Sequence, residues 1–200
     1  MRRAIPLNAA IGGTLIAALA ITAAVALVWT PFDPLAVNLR ARLAPPGGAY
    51  PLGTDEFGRD VLSRLMAGAA ASAIIALTTV VFAVAAGGAL GLVAGFLRGW
   101  TDRVLMAVND ALLAFPGILL ALGFLVVFGA NQWGIVIALG LAYAPSVARV
   151  VRGTVLSIRE REFVEASRVI GNPEHTTLWR HVAPNCIAPV AVLATSMFGW

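Results

Sequence analysis

Long stretches without a charged residue alternate with short polar ones along this chain of 200 residues. The first runs from Ala4 to Phe32, behind Met1-Arg2-Arg3. Its apolar part, Ala9 to Trp29, is about 21 residues, enough to span a bilayer as a helix with Trp29 at the interface. Ala24-Val25-Ala26 offers a small-residue cleavage site, so a secretory signal peptide is the competing reading, but the run is longer than the usual core of such a segment. Thr30 to Arg64 is polar and rich in proline and glycine, with a turn at Pro45-Pro46-Gly47-Gly48. At its end Asp60 and Arg64 stand four apart, the favourable sense for an ion pair on a solvated helix start. Met66 to Leu97 again carries no charge. As one helix it measures roughly 48 Å, longer than the hydrocarbon core, so it must tilt or begin outside. Ala83, Gly87, Gly91 and Gly95 repeat every four residues and predict a close packing surface, within the chain or toward another subunit.

The second half repeats the alternation. Arg98 to Arg103 reads as a short charged turn and Val104 to Phe128 as a third span. That span holds Asn109 and Asp110, and Pro116-Gly117 near its middle. A carboxylate inside a span is costly and marks a functional position unless it pairs near the interface. Pro116 predicts a kink that frees backbone carbonyls, and Asp110 and Pro116 are the expected markers of a translocation path. After a tight turn over Gly129–Gln132, Trp133 to Ala148 reads as a fourth span, with Arg149 and Arg152 snorkelling at its end. From Cys186 the chain is apolar again up to Trp200, part of a fifth helix.

Between the fourth and fifth spans lies the longest polar interruption of this half, Arg159 to Asn185. It reads as helix, glycine turn, helix. Phe163, Ala166 and Ile170 fall at i, i+3 and i+7 on one helical face. Gly171 suits the left-handed residue that ends such a helix. Asn172 is expected to cap the next helix, with Pro173 at its first position and Glu174 at the positive end of its dipole. Leu178 and Val182 continue an apolar stripe up to Pro184. A hairpin this polar does not belong in hydrocarbon, and one with an apolar face predicts a docking partner.

Composition narrows the class. The chain is 60% hydrophobic and 12% charged, whereas a soluble domain carries about a quarter charged residues. The net charge of +4 comes from arginines alone, but no basic run or aromatic platform points to nucleic acid. A chain without lysine has no phosphate loop of the GxxxxGK[ST] kind. One cysteine, Cys186, excludes an internal disulfide framework, and His175 and His181 are spaced wrongly for a helical metal pair. No catalytic constellation, cofactor site or metal site is expected. Arg40, Arg42, Arg59 and Arg64 fall on one side of the predicted topology and the other arginines on the opposite side, which places the N-terminus and the hairpin inside.

Two stretches carry a family resemblance. Glu165-Ala166-Ser167, then Gly171, then Arg180-His181-Val182-Ala183-Pro184-Asn185 closely resembles the EAA loop of permease subunits of bacterial ABC importers, with Ser167 in place of the usual second alanine. Leu52 to Arg64 resembles the LGTDxxGRDxLSR block of the C-type permeases of dipeptide and oligopeptide importers, a family that also handles glutathione and nickel. The resemblance covers roughly Ala49 to Trp200. It implies an all-α, polytopic membrane helix bundle, the transmembrane domain of a type I ABC importer. Residues 1–48 would supply a first helix and external loop, and 49–200 the transmembrane domain with its coupling hairpin at 159–185. It implies ATP-binding cassette subunits, a second permease subunit and an external solute-binding protein as partners, in a bacterial inner membrane. Phe163, Glu165, Ala166, Ser167, Ile170, Gly171 and Pro184 are then the residues expected to couple to the ATPase. The family usually has a sixth helix, so a chain truncated at its C-terminus is expected. Two other readings remain open: an ion-coupled secondary transporter using Asp110, and a non-functional membrane fragment. A single intramembrane acid, no detectable inverted repeat and a docking hairpin stand against the carrier.

Overall fold

A computed structural model describes residues 7–199. Arg2 and Arg3, which enter the arginine asymmetry, and Trp200 lie outside them. The helices in order are α1 (Leu7–Ala26), α2 (Val61–Leu97), α3 (Gly99–Leu113), α4 (Gly117–Phe128), α5 (Gln132–Ile158), α6 (Glu162–Val169), α7 (Glu174–Thr177) and α8 (Ile187–Met197). No strand forms among the described residues, only two isolated backbone bridges. The chain divides into two compact units after Ile74.

The first unit holds α1, the loop that follows it and the start of α2. The loop is built around two glycines. Gly53 and Gly58 have φ of +75° and +72°, and a Cβ on Gly58 would sit 1.8 Å from the Asn38 carbonyl oxygen. Thr54 Oγ1 accepts from the Ala44 amide at 2.9 Å and donates to the Ala41 carbonyl. Asp55 accepts from the amides of Phe57 and Arg59, and pairs with the side chains of Arg59 and Arg64. Loss of water works against its charged form, but the backbone donors of Arg59 and Phe57 and the Arg59 guanidinium outweigh it. The carboxyl is held well below the usual carboxylate range.

The expected Asp60–Arg64 pair does not form. Asp60 is 2% exposed and takes the Ser63 amide at 2.8 Å and the Ser63 hydroxyl at 2.6 Å, the work of a cap on α2. Arg64 turns to Asp55 instead. The Ser63 hydroxyl in turn accepts from the Phe32 amide at 2.9 Å. This helix start is therefore a buried hydrogen-bonded joint rather than a solvated charged face.

In the second unit the stripe of small residues on α2 meets α5. A Cβ on Gly87 would fall 2.2 Å from the Ala144 carbonyl oxygen, one on Gly91 2.5 Å from that of Ala148, and one on Gly95 2.9 Å from Val155 Cβ. The packing predicted from the four-residue repeat is thus intrachain. In return Gly140 of α5 makes room for the Phe82 ring. Ala83, Val147, Val151, Val155, Val164 and Val182 form a core that runs from this seam into the hairpin.

α2 and α5 are each long and apolar enough to cross a membrane. The third span differs from expectation. The charged segment after Arg98 is the first turn of α3, not a separate turn, and α3 stops at Leu113. A 99° bend separates it from α4. The cause lies in Phe115-Pro116: a residue before proline avoids the helical region, and proline cannot donate to the preceding turn. Pro116, with ψ of 125°, instead stands at the start of α4. Beyond α4, Asn131 caps α5 by accepting from the Gly134 amide at 2.9 Å. α5 also continues through Pro145 to Ile158, ten residues past the predicted end.

Candidate functional site: the hairpin between α5 and α8

α6 ends as its sequence dictates. Gly171 has φ of +89°, its amide donates to the Arg168 carbonyl at 2.9 Å, and the Asn172 amide donates to the Ser167 carbonyl at 3.2 Å. These are the two bonds of a Schellman motif, which a left-handed glycine permits. Asn172 does not cap α7. Its side chain donates back to the Ser167 hydroxyl at 3.0 Å, and Pro173 occupies the cap position. Ser167 also bonds the Thr177 hydroxyl at 3.0 Å. Arg168 and Glu174 close the turn with an ion pair at 3.2 Å.

The second arm is not one helix. After the single turn of α7 the backbone widens into a π turn over Leu178–Val182, then tightens into a 3-10 turn over Ala183–Cys186 that contains Pro184. Its inward residues are Thr177 and Val182, both fully buried.

The two faces of α6 are sharply divided. Val164 and Ser167 point inward at 0% and 4% exposure. Phe163, Glu165, Ala166 and Ile170 are exposed, with Ile170 at 79% and its neighbour Val169 at 82%. The i, i+3, i+7 pattern therefore marks an outward apolar face, while the inward stripe is offset from it by one residue. Among the predicted coupling residues, Phe163, Glu165, Ala166, Ile170, Gly171 and Pro184 lie on the surface. Ser167 does not: it is an internal tie.

Asp110 and Pro116 are not brought to the hairpin. Asp110 accepts from Arg149 at 2.6 Å, and both side chains are 60% exposed. Arg152 holds Asp102 through two bonds of 2.6 and 2.7 Å. The two arginines expected to snorkel are thus paired with carboxylates of α3. The buried Asn109 amide donates to the Pro145 carbonyl at 3.2 Å, a second polar tie between α3 and α5. That Asp110 pairs was one of the two expected outcomes, but the sequence did not name Arg149 as its partner, and it missed the Asp102–Arg152 pair and the Asn109 tie. It also missed Arg159, which donates to the carbonyls of Phe96 at 2.6 Å and Gly95 at 3.2 Å. Burial, with Arg98 and Arg168 nearby, pulls the Arg159 pKa below its ordinary value, yet a guanidinium stays charged.

Helices long and apolar enough to cross a membrane, with a polar hairpin that exposes apolar residues, fit an integral membrane component. Residues 87–200 match the family of binding-protein-dependent transport system inner membrane components, and the chain belongs to that family. It is 40% identical to a Brucella suis permease assigned to a peptide transport system, over 94% of this chain and 64% of that one. A glutathione transport system permease of Pectobacterium atrosepticum is 35% identical over 77% of this chain and 51% of its own length. A nickel transport system permease of Escherichia coli is 36% identical over 92% and 67%. The chain thus spans less than two thirds of the length of the Brucella relative.

Proposed function

We propose that this chain is the permease subunit of an ATP-driven importer, forming with a second permease the membrane path for peptides or similar small solutes. It performs no bond chemistry. Hydrolysis belongs to separate ATP-binding subunits, and an external binding protein delivers the solute. The observation that carries the reading is the hairpin: a glycine-locked turn and a buried Ser167–Thr177 tie hold its arms, and Phe163, Val169 and Ile170 face outward. Exposed apolar residues on a rigid polar-flanked element fit a protein partner. The relatives' names support peptides as the solute class. The Arg149–Asp110 pair argues against Asp110 as a free proton carrier.

The test is made in the complete permease, reconstituted with its partner subunits. Gly171→Val forces a side chain into the left-handed region at a cost of about 1–2 kcal/mol and swings the second arm away. Glu165→Lys reverses charge on the exposed face. Both variants should reach the membrane yet lose uptake, and ATPase activity should stop responding to the loaded binding protein. Coupled transport in both would reduce the hairpin to a connector.

A further inference from the structure

We infer that Arg159 and Glu160 form a clasp that delivers movement of the hairpin to the corner between α2 and α3, so that the hairpin drives that corner as well as α5. The inference rests on the coupling role proposed above. By covalent connection alone the first arm moves α5, since only Arg159, Glu160 and Arg161 separate α5 from α6. The side chains of the first two reach elsewhere.

The last carbonyls of a helix have no amide of their own to accept from. In α2 the Ala94 carbonyl is taken by the Arg98 amide at 3.2 Å. Those of Gly95 and Phe96 are taken by Nη1 of Arg159, at 3.2 and 2.6 Å. The same guanidinium lies 5.7 Å from the centre of the Phe96 ring. A cation thus sits at the negative end of the α2 dipole, bonded to two carbonyls that no helix amide reaches. One residue on, Glu160 accepts from Nη2 of Arg98 at 3.0 Å.

Arg98 is the corner itself. Its φ of 59° and ψ of −165° are unfavourable for a residue with a side chain, and Gly99 follows with φ of +61°. Such a backbone is strained and persists only where its surroundings impose it. Here they do: Arg159 holds the turn before the corner, Glu160 the corner, and Arg152 the Asp102 carboxylate in the turn after it. A single surface pair would count for little. Three ties from one short stretch of α5 and its exit make the corner and the hairpin base one body.

The experiment uses the complete permease with its partner subunits in proteoliposomes and reads solute transported per ATP hydrolysed. Arg159→Met keeps the aliphatic stem over Phe96 and removes the donors; it should lower this ratio about tenfold, a usual size for a coupling between sites, with membrane level and basal ATPase retained. Glu160→Arg should lower it too, and adding Arg98→Glu should restore it, a rescue that loss of packing would not give. In a Cys186→Ser background, Arg98→Cys and Glu160→Cys joined by a short thiol cross-linker should leave transport within about twofold, because the two points move together. A normal ratio in Arg159→Met, or a cross-link that blocks transport until reduced, would overturn the clasp. If Arg159→Met does not accumulate, Arg159→Lys and the cross-link decide, since both keep a cation beneath α2. Gly171→Val separates the two readings: if it uncouples while Arg159→Met does not, only the clasp fails.

Discussion

Ser167 shows how much a single hydroxyl contributes to the hairpin. It stands where the family pattern has alanine, and size alone would make the exchange silent. In the structure its oxygen joins Thr177 and Asn172, and so ties α6 to both the turn and α7. Thr177 is fully buried and Asn172 is exposed, so removing the serine hydroxyl strands the threonine while the asparagine turns to water. Leaving a buried hydroxyl unsatisfied costs about 1–3 kcal/mol. Ser167→Ala should therefore lower the thermal stability of the detergent-purified chain measurably. Adding Thr177→Val should recover part of the loss, because the second change removes the stranded group. Equal losses that simply add would show that the two residues do not act as a pair. At this scale the left-handed Gly171 was legible, because glycine adopts that backbone with no Cβ penalty. The destination of Asn172 was not, because an asparagine before a helix has two uses, and the nearby serine decided between them. Nor was the capping role of Asp60, since an i, i+4 arginine offered a simpler partner than a buried serine.

Among the elements, the seam between α2 and α5 was half legible. A four-residue repeat of small residues announces close packing, but its partner is set by three-dimensional approach, which no local pattern encodes. The seam makes a contrast between two neighbouring glycines. A Cβ on Gly91 would meet the Ala148 carbonyl oxygen at 2.5 Å and Val151 Cβ at 2.8 Å, whereas one on Gly88 meets nothing within 4 Å. Gly91→Ala should cost about 1–3 kcal/mol by overpacking, seen as a lower melting temperature or lower membrane level. Gly88→Ala should be neutral or stabilising by up to about 1 kcal/mol, since alanine is the better helix former. The same substitution three residues apart thus carries opposite signs, and two equal losses would remove the seam as their cause. The third span shows the opposite limit of pattern reading. Hydrophobicity over Val104–Phe128 is continuous enough to suggest one helix, and a proline inside a span often only kinks it. Pro145 lies within α5, which runs on to Ile158, while Ala114 to Pro116 separate α3 from α4. Both cases contain a proline in an apolar stretch. At Pro145 the helix continues, and its carbonyl also accepts from the buried Asn109 amide of α3.

For the molecule as a whole, the direction of α2 and α5 fixes more than the arginine asymmetry does. Going up α2 from Gly87 to Gly91 to Gly95, the contacts go up α5 from Ala144 to Ala148 to Val155. The two helices therefore run parallel. If α2 crosses the bilayer, the chain must return before α5 can cross in the same sense, and α3 with α4 is the only segment between them. The 99° break is then a broken crossing rather than a loop that leaves on the side it entered. It follows that α2 and α5 end on the same side, with the corner at Arg98 and the base of the hairpin at Arg159 together. The orientation expected from the arginine placement would put the hairpin in the cytoplasm, where the proposed ATP-binding partner would be. Ala49, in the loop before α2, and His175, in the hairpin, are both exposed. In a Cys186→Ser background, a cysteine in place of Ala49 should react with a membrane-impermeant thiol reagent added to intact cells. One in place of His175 should react only after the membrane is opened. Labelling of both from outside would contradict the parallel packing of α2 and α5 across a bilayer, and labelling of His175 alone would reverse the orientation and remove the hairpin from its partner.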